Sequence, residues 1–314
     1  MFISLKIGVF SNTASIAKSP RNMAGRVWCQ QKEGELMPKI KIMTDSASDI
    51  SYENENKYDI QIVPFKVAMG NKSYISRNDF DNAQFYGLME EYDGIPVTSQ
   101  VTPYEFVEIF RQQYKSGYTD VINVIINSEG SATYNNAVIA REDFFAEHPK
   151  AKGNFAIYNI DSRSYSGGYG FAVIEAAKMA ERGMPADEIV GRLNDWCENS
   201  VVIFAPYTLK YAAKSGRIPS AAAFVGEALG LRPVMRIHDH VIQTEEKVRG
   251  EKNIIPAVEK LTAAEIEPGS PYCIIYGDDE KVRDSMAEAM TASMGYPPAD
   301  FYQIGAAVAV NAGP

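Results

Sequence analysis

Val121-Ile122-Asn123-Val124-Ile125-Ile126 is a run of β-branched residues, and it gives way through Asn127 to Ser128-Glu129-Gly130-Ser131-Ala132-Thr133. The run has the composition of a strand buried on both faces. From Thr133 to Phe145 the sequence turns helix-compatible. Strand, tight loop, helix is the βα junction at whose carboxyl edge open α/β sheets bind ligands. Hydroxyl residues stand where a helix begins, among unpaired backbone N–H groups and the positive end of the helix dipole. Such a place holds a carboxylate or phosphate without any lysine.

A second stretch has the same character. Val97-Thr98-Ser99-Gln100 lies just ahead of Thr102-Pro103-Tyr104-Glu105, a T-x-x-E capping box with proline at the first helical position. Phe106, Ile109, Phe110 and Tyr114 follow at helical spacing, and Gly117 supplies the stop. Hydroxyl caps are common in helices, so either stretch alone also reads as a plain cap.

Outward from these stretches the pattern alternates. Strands are predicted at Ile40 to Met43, delivering Thr44-Asp45-Ser46, at Ile60 to Val67 around Pro64, and at Phe155 to Ile160, ending at Asp161-Ser162. Helical stretches intervene, which predicts a mostly parallel sheet covered on both faces, an α/β/α domain. A long helix from Ser166 to Arg182 closes at Gly183, and another starts near Pro185 with Ile189, Val190, Leu193 and Trp196 on its apolar face. Strands are then predicted at Val201–Phe204, Arg232–Ile237, Val241–Lys247, Tyr272–Tyr276 and Phe301–Val310. The second and third of these form a hairpin through His238-Asp239-His240. The expectation is two α/β domains, residues 38–165 with the mostly parallel sheet and 166–314 with a mixed one. Residues 1–37 are set aside as an irregular extension, disordered or preceding a true start at Met37. Lys6 interrupts the apolar opening and no A-x-A site follows, so a secretory leader is not the reading.

Composition narrows the function. The 314 residues carry a net charge of -9 with no basic cluster, which argues against a nucleic-acid track. Cys29, Cys197 and Cys273 show no paired spacing, so a reduced, cytoplasmic setting is expected. No apolar run approaches the roughly 18 residues of a membrane span. There is no G-x-S-x-G elbow, phosphate-binding P-loop or H-E-x-x-H motif. His238 and His240 share a strand face, but a hairpin tip explains them better than a metal pair. Asp45 and Asp161 close two parallel strands, where acids serve either in catalysis or as caps. Arg217, after Gly216, could reach a ligand mouth or sit as a surface helix-end cation, and Arg249 is similar.

The same segments, in order, resemble the DegV family, bacterial proteins that bind fatty acids. The matching pieces include Thr44-Asp45-Ser46, Val63-Pro64-Phe65, Thr98-Ser99-Gln100 and Ser131-Ala132-Thr133-Tyr134. Further on come Ile160-Asp161-Ser162 with Ser166-Gly167-Gly168, Leu209-Lys210-Tyr211, Ser215-Gly216-Arg217-Ile218, Leu231-Arg232-Pro233-Val234 and Lys247-Val248-Arg249-Gly250. The chain closes on Ile304-Gly305 and Asn311-Ala312-Gly313-Pro314, where relatives run on.

The resemblance implies two α/β domains with a long-chain fatty acid between or within them and no other cofactor or metal. Its carboxylate would be held by Ser99 and Ser131, supported by Thr98, Thr133 and Asn311. It further implies a lipid-carrying subunit without catalytic residues of its own. A partner fatty acid kinase would phosphorylate the bound acid to an acyl phosphate for phospholipid synthesis, with Arg217 facing the opening. Three positions depart from the family pattern. Ala132 replaces the usual glycine, and Gly130 stands where leucine is frequent, loosening the loop or opening the acyl channel. Asn311 replaces a histidine, keeping a hydrogen-bond donor but no charge. The competing expectation is a small-molecule enzyme of carboxylate or phosphate chemistry using Ser99 or Ser131 at the same anion site.

Overall fold

A computed structural model describes residues 2–6, 38–218 and 230–313. The chain starts with β1 (Phe2–Lys6) and continues through β2 (Ile40–Asp45), α1 (Tyr52–Lys57), β3 (Gln61–Val63), β4 (Lys66–Met69) and β5 (Lys72–Ile75). Then come α2 (Asn82–Glu91), β6 (Val97–Ser99), α3 (Pro103–Lys115), β7 (Asp120–Ile125), α4 (Thr133–Glu147) and β8 (Ala156–Asp161). The second half holds α5 (Gly167–Glu181), α6 (Ala186–Asn199), β9 (Val201–Phe204), α7 (Lys210–Ser215), β10 (Leu231–His238) and β11 (Val241–Arg249). It ends with α8 (Ile254–Glu265), β12 (Cys273–Tyr276), α9 (Glu280–Met294), β13 (Asp300–Gln303) and α10 (Ala306–Ala312).

The first sheet is parallel throughout, in the order β3-β2-β7-β8. Its central strands are buried on both faces, which is why Val121 to Ile125 shows no polar alternation except Asn123. That asparagine is matched across the ladder, its amide donating to Asn159 Oδ1 at 3.0 Å. Helix α4 packs on β8, α5 on β2, and α6 on β7 and β8. The helical cover of this sheet therefore runs through residue 199, past the boundary at 165 expected from sequence.

Pro64 splits the predicted strand from Ile60 to Val67 in two. Proline has no N–H to give a ladder, so β3 ends before it and β4 joins a separate antiparallel sheet, β5-β4-β6. Val97-Thr98-Ser99, which precedes a helix as expected, is itself the strand β6 of this small sheet. The capping box at α3 is present: Glu105 N donates to Thr102 Oγ1 at 3.3 Å, and Thr102 N to Glu105 Oε2 at 2.9 Å.

In the second half β9, β10 and β11 are antiparallel, and β1 pairs antiparallel with the free edge of β9. Residues 2–6, set aside with the extension, thus form a sheet strand, while residues 7–37 lie outside the described residues. Asp239 and His240 join β10 to β11 with φ of 43° and 71°, the pair of positive values that a two-residue hairpin turn requires. The expected mixed sheet resolves into this antiparallel sheet and a separate parallel pair, β12 with β13.

One sequence expectation is corrected outright. The segment from Phe301 to Val310 is not one strand but a short strand, a turn at Gly305, and α10. Ala306-Ala307-Val308-Ala309-Val310 is buried throughout, so no polar face marks its period. Alanine's helix preference, with tertiary burial, wins. The segment ties back to the first half. Gly305 N donates to Asp49 Oδ1 at 2.8 Å, Ser166 Oγ to Asp49 Oδ2 at 2.6 Å, and the Tyr86 hydroxyl to the Ile304 carbonyl.

Candidate functional site

A cavity of about 690 Å³ lies between the two halves, lined by both. That volume falls within the range of small-molecule sites, about 300–1,000 Å³. Polar lining from the first half includes Thr98, Ser128, Ser131 and Asn135. Apolar lining comes from Phe65, Val202, Phe204, Ile237, Ile275 and Val308.

The loop between β7 and α4 is built from its own hydrogen bonds. Gly130 N and Ser131 N both donate to the Asn127 carbonyl, at 3.0 and 3.1 Å. Ser131 Oγ lies 2.9 Å from Thr133 Oγ1 and accepts from Thr133 N at 3.3 Å. The remaining N–H groups of the first turn of α4 have no acceptor within the helix. Asp161 Oδ1 accepts from Ser128 N and Arg163 N, at 3.2 and 3.0 Å, anchoring the start of this loop. Asp45 accepts from Ala47 N, Ile126 N and the Tyr169 hydroxyl, joining the ends of β2 and β7. Burial pushes its carboxyl up to about 6, against the hydrogen bonds that favour the charge. Both strand-end acids are thus engaged in holding backbone.

The two hydroxyl stretches meet only partly. Along β6, Thr98 pairs with buried Val67 and faces the cavity, with Gln100 lining it beyond the strand end. Ser99 pairs with Lys66, is exposed, and does not line the cavity. Alternation along a strand puts neighbours on opposite faces, so Ser99 and Ser131 are not brought together. Thr133 is fully buried behind Ser131 and positions its hydroxyl rather than lining the space. Ala132 and Gly130 line the cavity, as does Asn311, whose amide donates to Ala307 O one turn back in α10 at 3.1 Å. Arg217 also lines it and is exposed, with Nη1 donating to Ser215 O at 2.7 Å. Arg249 does not line it.

Gly130 does not open the channel as its small size suggests. A Cβ there would come within 2.2 Å of the Tyr165 hydroxyl, so the space is taken by that phenol. Tyr165 and His240 line the cavity and buried Asn127 joins them; sequence reasoning missed Tyr165 and Asn127 and read His240 only as part of a hairpin tip. Asn127 Nδ2 donates to the Tyr165 hydroxyl and to His240 O, both at 3.1 Å, and His240 Nδ1 lies 2.8 Å from Asn127 Oδ1. The β10–β11 turn thereby docks on the first half. Its only sequence signal is the Asp-His dipeptide at a hairpin tip, which says nothing of the loop it meets. Among the described residues no group of three or more His, Cys, Asp or Glu is placed to hold a metal ion, and no helix is long and apolar enough to cross a membrane.

The family model described as "Uncharacterised protein, DegV family" matches residues 39–314. A DegV domain-containing protein of Caldanaerobacter subterraneus subsp. tengcongensis is 31% identical over 284 residues, 88% of this chain and 96% of that one. Among solved structures, a stearic acid-binding protein of Eubacterium ventriosum aligns at a TM-score of 0.80 and 23% identity, covering 88% of this chain and 95% of that one. A DegV lipid binding protein of Thermotoga maritima aligns at a TM-score of 0.74 and 26% identity, with 88% and 95% covered.

Proposed function

This chain belongs to the DegV family, and we propose that it binds a long-chain fatty acid in the cavity between its halves. The carboxylate sits at Ser131 and Thr98, against the N-terminus of α4, with Asn311 lining the same cavity. Ser99, on the other face of β6, has no part in it. The acyl chain runs along the apolar lining. The observation that carries this reading is one cavity lined both by hydroxyls and the start of α4, through Thr98, Ser131 and Ala132, and by apolar Val202, Phe204, Ile237 and Ile275. Lipid binding by the Thermotoga and Eubacterium proteins, which share this fold, supports it. Burying acyl methylenes contributes about 0.8 kcal/mol each, so the ligand should survive purification.

The chain acts as a carrier that presents the acid to a partner kinase in the cytoplasm. A carboxylate must be reachable to be phosphorylated, and exposed Arg217 at the cavity marks the reachable side. Mass spectrometry of denatured protein purified from bacteria tests the lipid reading. Near-stoichiometric fatty acid is expected; its clean absence from folded protein would overturn it. ATP consumption tests the carrier reading, with turnover expected only when the kinase is added. Turnover by this chain alone would overturn that part.

A further inference from the structure

We propose that the Tyr165 hydroxyl is a further hydrogen-bond donor to the ligand's carboxylate, aimed by Asn127 and admitted to the cavity by the missing side chain at Gly130. This rests on the reading of the cavity as a carboxylate site.

The hydrogen-bond directions follow from one fixed donor. The backbone N–H of Glu129 can only donate, and it donates to Asn127 Oδ1 at 3.0 Å. That sets the orientation of the amide, so Nδ2 faces Tyr165 and His240. Both of its protons are then used, one on the Tyr165 hydroxyl oxygen and one on His240 O, each at 3.1 Å. The phenol oxygen is thus already accepting, and its own proton is left over. Among the described residues that proton has no acceptor. Burial pushes the phenol's pKa up, with Asp161 and Glu129 acting in the same direction against Asn127 and Arg217. The group is therefore a protonated donor at any ordinary pH.

Its place makes the leftover proton useful. Tyr165 and Gly130 both line the cavity. The hydroxyl lies 2.2 Å from where a Gly130 Cβ would be, and Ser131 is the next residue. Any side chain at residue 130 displaces the phenol. Tyr165 is half-buried, and a bound carboxylate oxygen supplies a charged acceptor for this O–H, a stronger partner than a neutral one. Glycine, tyrosine and asparagine thus form one device drawn from two loops.

The test uses the full chain, delipidated, with an acyl chain of fixed length presented as the free acid and as its methyl ester. Tyr165→Phe removes the proton and keeps the ring. The acid should bind about ten- to a hundredfold more weakly, as for loss of a hydrogen bond to a charged group, and the ester nearly unchanged. Gly130→Ala, which pushes the hydroxyl aside, should weaken the acid comparably. The double variant should lose no more than either alone, because both remove the same bond. Equal acid affinity for wild type and Tyr165→Phe overturns the proposal, as does an equal loss for acid and ester, which would make Tyr165 a packing wall. Wild-type protein that binds neither overturns the fatty-acid reading as well, so the two failures are told apart.

Discussion

Asn136, in the first turn of α4, donates through Nδ2 to the Val101 carbonyl at 2.7 Å. Val101 follows β6 by two residues, so this bond clasps the two hydroxyl stretches together and lets Thr98 and Ser131 share a cavity. The cavity's polar wall is therefore made by tertiary contact between a small antiparallel sheet and the edge of a parallel one.

Ser131→Ala and Ser99→Ala should behave differently. Ser131 lines the cavity and Ser99 does not. Loss of the Ser131 hydroxyl removes one hydrogen bond to a charge, about 1.5–3 kcal/mol, or about ten- to a hundredfold in fatty-acid affinity. Ser99→Ala should bind as wild type. Titration with a fluorescent fatty acid checks both; equal losses would place the carboxylate elsewhere.

The carboxyl of Asp49 ties α10 to the first half, and burial pushes it up to about 7 despite hydrogen bonds from Ser166 and Gly305. A carboxyl whose pKa is higher folded than unfolded binds its proton more tightly in the native state. Its contribution is fully present below about pH 4, the unfolded value, and is lost as pH rises through about 7. Asp49→Asn keeps the acceptor for Gly305 N without the ionisation. Urea unfolding at several pH values should show stability falling between pH 4 and 7 in wild type and falling less steeply in Asp49→Asn. Parallel curves would contradict this.

Gly170→Ala should be among the more costly single changes. A Cβ on Gly170 would lie 2.3 Å from the Ser48 carbonyl, a backbone atom in the turn after β2. Backbone cannot swing aside as a side-chain tip can, so α5 must move off the sheet. Overpacking of this kind costs about 1–3 kcal/mol or more. Thermal melting of Gly170→Ala beside Gly191→Ala, where nothing lies within 4 Å, reads the difference.

Arg217→Ala should leave fatty-acid affinity near that of wild type, because the guanidinium is exposed and donates to Ser215 O. Kinase-dependent ATP consumption should drop. Unchanged turnover would remove Arg217 from the carrier step. No change in turnover attributable to residue 311 is expected between pH 5 and 8, since asparagine does not titrate there.

Much of the architecture was legible locally. β-Branched runs such as Val121 to Ile126, the Thr102–Glu105 capping box and the Asp239-His240 turn each carry their structure in adjacent residues, because propensity, capping and turn geometry act over a few positions. Buried uniform segments were not legible: Ala306 to Val310 has no polar face to reveal a period, and Ile60 to Val67 reads as one strand around Pro64 although the proline divides it between two sheets. The site divides the same way. Ser131 before a helix is a local signal, and so is Thr98, but which neighbour in Thr98-Ser99 faces a ligand depends on the pairing of β6 with β4, a contact made some 30 residues away in sequence. The Tyr165–Gly130–Asn127 arrangement brings two loops within van der Waals reach, and its meaning exists only when both are packed. Composition and short-range pattern thus set the elements and the kind of chemistry, because those forces are local. The fold alone decided which hydroxyls converge and which residue fills the space at Gly130, because strand register and loop packing are properties of the assembled chain.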